Sequence, residues 1–471
     1  MPSPLDKLRD ALGPRLPVHL AKRRSPTTDA GLEPGRALRF PPGFLFGAAS
    51  ASHQVEGFDE HSDWWRFERE PGRVQHFAEF GEEATKRKSD HLARFDEDVA
   101  LMKQLGLAAY RFGVDWSRCE PRDGVFDEAA IARYGRMCAT LRKNGIEPIV
   151  TFFHWSSPDD VWVRGREEHS GWYVPETAAR FGRFVAHVMP SLAEHVRVYV
   201  TLNEPNVFVF GGFAEGLLCP GHRRPDADLF RVLRTQFLAH VEARRAIRAV
   251  RPDALVGLAN NCTLFEPYDD SHVLERVVAA FFEEGFTWSF LDAPLTGTIV
   301  HRTRSGSIAR ETIPGLEGSV DFVGVNYYER NFVRLPHGVD LRRPELVADH
   351  HGERENWPRE SYPLGFLETL RTVHRRYGLP IYVTENGRAH VDDRERTRFL
   401  RDHLAVVGRA LAEGIRVEGF LYWSLLDNQE WANGFLPRFG LYEVDYRTFE
   451  RKRRGTADEY ARIIARREIV P

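Results

Sequence analysis

Eight short apolar segments, separated by stretches of helical periodicity, set the strongest limit on how this chain can fold. They are Phe44–Ala48, Ala109–Gly113, Glu147–Phe153, Val196–Leu202, Leu255–Leu258, Phe322–Asn326, Ile381–Thr384 and Gly419–Trp423. Most are apolar throughout rather than alternating, the pattern of strands covered on both faces. Between them, Leu92, Phe95, Val99, Met102 and Leu105 fall on one helical face. Ile131, Tyr134, Cys138 and Leu141 do the same, with Gly145 closing that helix after Asn144. Phe181, Phe184, Val188 and Leu192 form a third stripe, and Phe399, Leu400, Leu404, Val407 and Leu411 a late one. These stripes read as core packing. Eight strands alternating with helices predict an α/β fold, a single (β/α)8 TIM barrel with extended loops at its mouth. A doubly wound open sheet is the competing architecture, but the G-x-G-x-x-G turn expected after its first strand is missing.

A barrel with insertions can use 471 residues as one domain, and neither a linker nor a solenoid repeat divides this one. The expected division is an N-terminal extension, residues 1–38, partly ordered with a short helix over Leu5–Leu12, and a barrel domain, residues 39–471. The long segments Ser156–Tyr173, Glu266–Thr312, Arg334–Pro363 and Asp427–Asp445 are expected to be loops around the barrel mouth.

Charge excludes some partners. Lys plus Arg is 65 against 68 Asp plus Glu, without the positive excess of a nucleic-acid protein. No apolar run reaches the roughly 18 residues of a membrane span, and Met1–Arg36 lacks the apolar stretch of a secretory signal. Cys119, Cys138, Cys219 and Cys262 make no C-x-x-C pair or zinc spacing. So few cysteines point to a reducing compartment, and the cytoplasm is the expected location. Asp349-His350-His351-Gly352-Glu353 reads as a solvated surface cluster rather than a metal site. No metal or cofactor is expected, and a homo-oligomer is left open.

The chemistry is concentrated in two runs, Thr201-Leu202-Asn203-Glu204-Pro205 and Tyr382-Val383-Thr384-Glu385-Asn386-Gly387. Glu204 follows the fourth strand and Glu385 the seventh, so a barrel would hold both at its C-terminal rim. Alone, the first run reads more readily as a helix start at Pro205, and Asn386-Gly387 as a common turn. Together they offer a facing pair of carboxyl groups, which is the equipment for splitting a glycosidic bond.

With three further segments, the resemblance becomes specific. Phe44-Leu45-Phe46-Gly47-Ala48-Ala49-Ser50-Ala51-Ser52-His53-Gln54-Val55-Glu56-Gly57, Tyr110-Arg111-Phe112-Gly113-Val114-Asp115-Trp116-Ser117-Arg118, and Trp423-Ser424-Leu425-Leu426-Asp427-Asn428 followed by Glu430-Trp431 and Arg438-Phe439-Gly440-Leu441 are matched in order. From about Phe40 to Tyr460 the chain resembles glycoside hydrolase family 1, the β-glucosidase family. The resemblance implies retaining hydrolysis of small β-glycosides by double displacement, with Glu385 as nucleophile and Glu204 as general acid, then base. Arg111, Asn326 and Tyr328 would support the nucleophile, although Tyr328 also reads as a core tyrosine. Gln54, His154, Trp155, Asn203, Trp423, Glu430, Trp431 and Phe439 would line the sugar site. Gln54 and Glu430 would each accept from or bridge two sugar hydroxyls, and Asn203 suits the 2-hydroxyl. His154 has a core histidine as its alternative.

A carboxylate at Glu430, where phospho-glycosidases of this family carry serine, would repel phosphate. Non-phosphorylated sugars are therefore expected. Ser156-Ser157-Pro158, Gln429, Phe435 and Asp115 depart from the family pattern and leave the choice among glucose, galactose and fucose open. Two other readings stand beside hydrolysis: transglycosylation on the same scaffold, and an inactive sugar-binding homologue.

Overall fold

The computed structural model describes residues 30–303, 308–335, 345–347 (backbone only) and 360–471. Eight parallel strands close into a barrel: β1 Leu45–Ala49, β2 Ala109–Gly113, β3 Glu147–Phe153, β4 Val198–Asn203, β5 Leu255–Asn261, β6 Phe322–Asn326, β7 Ile381–Asn386 and β8 Val417–Trp423. Neighbours in space are neighbours in sequence, and β8 pairs back onto β1 from Gly419↔Leu45 to Trp423↔Ala49. All eight strands fall on the predicted segments. At their C-terminal ends β5 and β7 run two or more residues further than expected: β5 reaches Asn261, and β7 takes in Glu385, which therefore lies within its strand rather than after it. In both, polar residues that look like loop are strand residues whose side chains turn toward the barrel mouth.

Eight helices wrap the barrel: α1 Phe95–Leu105, α2 Glu128–Lys143, α3 Pro175–Leu192, α4 Asp226–Val250, α5 Ser289–Thr296, α6 Pro363–Tyr377, α7 Asp393–Ala412 and α8 Gly455–Arg466. Their boundaries follow local chemistry. Asp127 caps α2 by accepting from the N–H groups of Ala129 and Ala130, and Gly145 just beyond its end has φ +74°. Pro175 opens α3, where its missing N–H costs nothing. The apolar stripes are buried, with Phe181, Phe184, Val188 and Leu192 fully so. Leu92 precedes α1, in a turn, yet still packs on the core.

The segment Glu266–Thr312, expected to be loop, is largely folded. Helix Val273–Glu283 continues through Glu284–Trp288 into α5, and a hairpin of Thr298–Arg302 against Ile308–Thr312 follows. Burial of Val278 and Ala279 against Phe265, Val333 and Leu335 supplies the reason. Phe281-Phe282 blurs that stripe in the sequence.

The two ends of the described chain meet. Leu38–Arg39 pairs antiparallel with Glu468–Ile469, so the expected boundary at 38/39 falls inside a strand pair. Leu38 packs on Gly408 of α7, where a Cβ would come within 2.8 Å of the leucine. The expected helix at Leu5–Leu12 and the cluster Asp349–Glu353 lie outside the described residues. Among the described residues, no helix is long and apolar enough to cross a membrane, and no group of three or more His, Cys, Asp or Glu is arranged for a metal.

Candidate active site

β4 ends at Asn203, and the next residue adopts the left-handed conformation: Glu204 has φ 44° and ψ 58° and caps the helix Pro205–Val209. A non-glycine residue there is strained and must be held. Its N–H donates to the Ala259 carbonyl of β5 (2.7 Å), which fixes the turn. On the far side, a bulge between β6 and β7 sets the register. Val325 pairs with Val383 but Asn326 pairs with Glu385, which brings the glutamate opposite Asn326. Gly387 is needed for close approach rather than for a turn: a Cβ there would lie 1.8 Å from the Trp423 carbonyl oxygen, and its φ is not positive.

The two carboxyls sit in unlike surroundings. Glu385 Oε1 accepts from Arg111 Nη1 (2.7 Å) and Oε2 accepts from the Tyr328 hydroxyl (2.7 Å). Arg111 is fully buried and held by Thr151 Oγ1 (2.9 Å) and Asn203 Oδ1 (2.5 Å). Glu204 meets only neutral donors. Its Oε1 accepts from Asn326 Nδ2 (3.0 Å) and Asn261 Nδ2 (3.1 Å). Burial, and then the charge on Glu385, push the Glu204 carboxyl up to about 8. Burial raises Glu385 as well, but the Arg111 guanidinium and the Tyr328 hydroxyl pull against it. The pair is thus biased toward one proton, carried by Glu204.

The expected sugar-site residues converge beside this pair. Asn203 Nδ2 donates to His154 Nε2 (2.8 Å), so the proton of this neutral imidazole is on Nδ1, a buried atom without a protein partner. Burial and the nearby Arg111 hold His154 well below the usual histidine range. Gln54 Nε2 is taken by Asn428 Oδ1 (2.9 Å) and the Gln429 carbonyl (2.7 Å), while its Oε1 is buried without a partner. Gln54 is therefore left as an acceptor only, and the expectation that it bridges two hydroxyls narrows to one atom. Glu430 lies next to Gln54 and Trp423, and burial with the Glu385 charge raises its carboxyl to about 8. Trp155 donates from Nε1 to the Asn203 carbonyl (2.9 Å) and packs on Trp431, ring centres 4.9 Å apart. Trp423 and Trp431 each lie 5.8 Å from the His154 ring. Phe439 is buried edge-on to Tyr328, at 6.2 Å.

Behind these residues runs a buried ionic network that the sequence does not suggest. Lys88 Nζ donates to Glu68 Oε2 (2.6 Å) and to Gln429 Oε1. Gln429 Nε2 donates back to Glu68 Oε2 (3.0 Å), and His53 Nε2 approaches the same oxygen (3.1 Å). The His53 ring stacks on Trp431, 6.0 Å away and 5° from parallel. The departure at Gln429 is thus matched by Lys88, a residue in a charge run that reads as surface. Of the other departures, Asp115, Ser157 and Phe435 also have partners, whereas Ser156 Oγ is buried without one. Asp115 caps the short helix Trp116–Cys119 and accepts from Ser52 Oγ (3.0 Å). Ser157 accepts from Trp172 Nε1 (2.9 Å). Phe435 packs among Phe77, Phe80 and Tyr446.

A closed parallel barrel that brings two buried carboxyls to the C-terminal ends of β4 and β7, one beside an arginine and one among amides, is the frame of a barrel glycosidase. The chain belongs to glycosyl hydrolase family 1, whose model matches residues 37–469. Similar curated proteins include β-glucosidase A of Thermotoga maritima, 31% identical over 90% of this chain and 98% of its own length. A furostanol glycoside 26-O-β-glucosidase of Hellenia speciosa is 32% identical over 90% of this chain and 83% of its own. Among solved structures, a β-glycosidase from Pyrococcus horikoshii superposes with a TM-score of 0.79 at 34% identity, covering 92% of this chain and 96% of that one. The Thermotoga maritima family 1 β-glucosidase superposes with a TM-score of 0.81 at 29% identity, covering 92% and 99%. It has also been solved in complex with deoxynojirimycin.

Proposed function

We propose that the chain is a retaining β-glucosidase acting on non-phosphorylated β-glycosides from the non-reducing end, with Glu385 as nucleophile and Glu204 as acid and base. The observation that carries this reading is the asymmetry between the two carboxyls: a buried arginine and a tyrosine hydroxyl hold Glu385, whereas Glu204 takes amide donors only. In the first step, Glu385 attacks the anomeric carbon while Glu204 gives its proton to the glycosidic oxygen as that bond breaks. Formation of the ester removes the negative charge that keeps Glu204 protonated, so its pKa falls. In the second step, Glu204 takes a proton from water, the water oxygen bonds to the anomeric carbon, and the ester to Glu385 breaks.

The sugar would lie among Gln54 Oε1, His154 Nδ1–H, the remaining Asn203 N–H, and Glu430, against Trp423 and Trp431. Glu430 supports the preference for a 6-hydroxyl over a 6-phosphate, since a phosphate would add charge beside a buried carboxyl. The named β-glucosidases among the relatives support glucose. A cytoplasmic location and a single catalytic domain from residue 39 belong to the same proposal. The cytoplasmic reading draws support from four cysteines that are all buried free thiols.

Proton NMR of aryl β-glucoside hydrolysis tests the stereochemistry, and the β-anomer is expected as first product. Azide is expected to restore turnover of an activated substrate to Glu385→Gly with formation of the α-glycosyl azide, and to Glu204→Ala with the β-glycosyl azide. The opposite assignment of the two azides would reverse the roles.

A further inference from the structure

Glu204 is gripped by two amides that are built alike. Asn326, at the end of β6, and Asn261, at the end of β5, are register partners on adjacent strands. Each directs its Nδ2 to the same oxygen, Glu204 Oε1, at 3.0 and 3.1 Å. Neither amide can turn round without loss. Asn326 Oδ1 accepts from Thr384 Oγ1 (2.6 Å). Asn261 Oδ1 accepts from Thr263 Oγ1 (2.6 Å) and from the Thr263 N–H (3.1 Å). Flipping either one would leave a hydroxyl donor facing an NH2 group.

We infer that Asn261, locked by Thr263, is a positioning residue for the proton of Glu204 and sets how readily that carboxyl changes from acid to base. This rests on the acid/base reading of Glu204 above and adds to it. Two N–H donors on Oε1 mark it as the carbonyl oxygen of the neutral acid, so the proton resides on Oε2. After the proton has left, the same two donors stabilise the anion that must activate water. The other ionisable groups around Glu204 are Glu385, which raises it, Arg111, which lowers it, and Tyr328 and Cys262, whose pKa values are pushed up in part by the Glu204 charge. Burial keeps the last two neutral at working pH, so they leave Asn261 and Asn326 as the nearest groups that favour the anion without bearing charge.

The test is the pH profile of Asn261→Ala and of Thr263→Val, the latter keeping shape and the backbone N–H donor while removing the Oγ1 donor to the amide. Removing a donor to the anion raises the pKa of Glu204, so the basic limb of kcat/KM should move to higher pH, by about one unit in Asn261→Ala and less in Thr263→Val. With a dinitrophenyl glucoside, whose departure needs little acid help, kcat should fall roughly tenfold as the water step slows. The fall should be smaller for kcat/KM of the same substrate. A basic limb at its wild-type position in a folded Thr263→Val or Asn261→Ala protein, or equal losses for all leaving groups, would show that Asn261 only supports the fold. Glu204→Ala, run in parallel, separates the two ideas. If it keeps the basic limb, the acid/base role of Glu204 itself is wrong; if it loses the limb and makes β-glycosyl azide, only the inference about Asn261 is at stake.

Discussion

Tyr328 shows how one hydroxyl divides the work between two carboxyls. Its O–H reaches Glu385 Oε2 at 2.7 Å while Arg111 holds Oε1, whereas Glu204 accepts from the amides of Asn261 and Asn326. Tyr328→Phe removes one hydrogen bond to an anion, worth about 1.5–3 kcal/mol, so kcat/KM should fall roughly 10- to 100-fold. In the proposed mechanism Glu385 must be ionised to attack, so losing the donor raises its pKa and moves the acidic limb of the profile to higher pH. The basic limb, set by Glu204 near 8, should stay in place. Movement of the basic limb alone would argue against this assignment. Single residues differ in how plainly the sequence announces them. Glu204 and Glu385 stand out because the reaction demands two carboxyls after strands of one barrel. Asn261 does not, because an Asn-Asn pair after Ala259 reads as the start of a loop, and only the register with Asn326 gives it a direction.

Between the first barrel strand and the last, the loops are tied together by charge as much as by apolar contact. Lys88, Glu68 and Gln429 form a closed ring of buried polar groups behind Trp431. Although burial works the other way, Lys88 and His53 hold Glu68 down at about 2. A carboxyl lowered on folding adds stability above its unfolded pKa, which is lost as pH falls from about 4 toward 2. Lys88→Met leaves Glu68 to Arg69 Nη1 (2.6 Å) and His53, and the loss of one buried partner costs up to about 3–5 kcal/mol. Chemical denaturation should show it, and Lys88→Met with Glu68→Gln should recover part of the loss. Strictly additive effects of the two changes would show no coupling between them. This network was invisible in sequence because its members are distant and Lys88 sits in Lys86-Arg87-Lys88, a run that normally faces water. The strands were legible because each is a compact apolar block. The helix Val273–Glu283 was not, since Glu275 and Glu283 lie on its buried face while Phe281 and Phe282, which blur the stripe, are not among its buried residues.

Closure of the barrel is what brings the chemistry together. Glu204 and Glu385 are distant in sequence and on non-adjacent strands, yet Asn326 of the intervening β6 hydrogen-bonds one and stands in register with the other. Among the described residues, Leu38–Arg39 and Glu468–Ile469 pair with each other beside the barrel, which β8 and β1 close. In the proposed mechanism this closed frame presents Glu385 as an ionised nucleophile to the anomeric carbon. Incubation with 2-deoxy-2-fluoro-β-glucosyl fluoride followed by peptide mass mapping tests it most directly. The fluorine slows breakdown of the glycosyl ester more than the reactive leaving group slows its formation. A single covalent fluoroglucosyl adduct is expected on the peptide containing Tyr382–Gly387, located on Glu385. An adduct on Glu204 or Glu430, or steady turnover with no adduct and an inverted product, would contradict it.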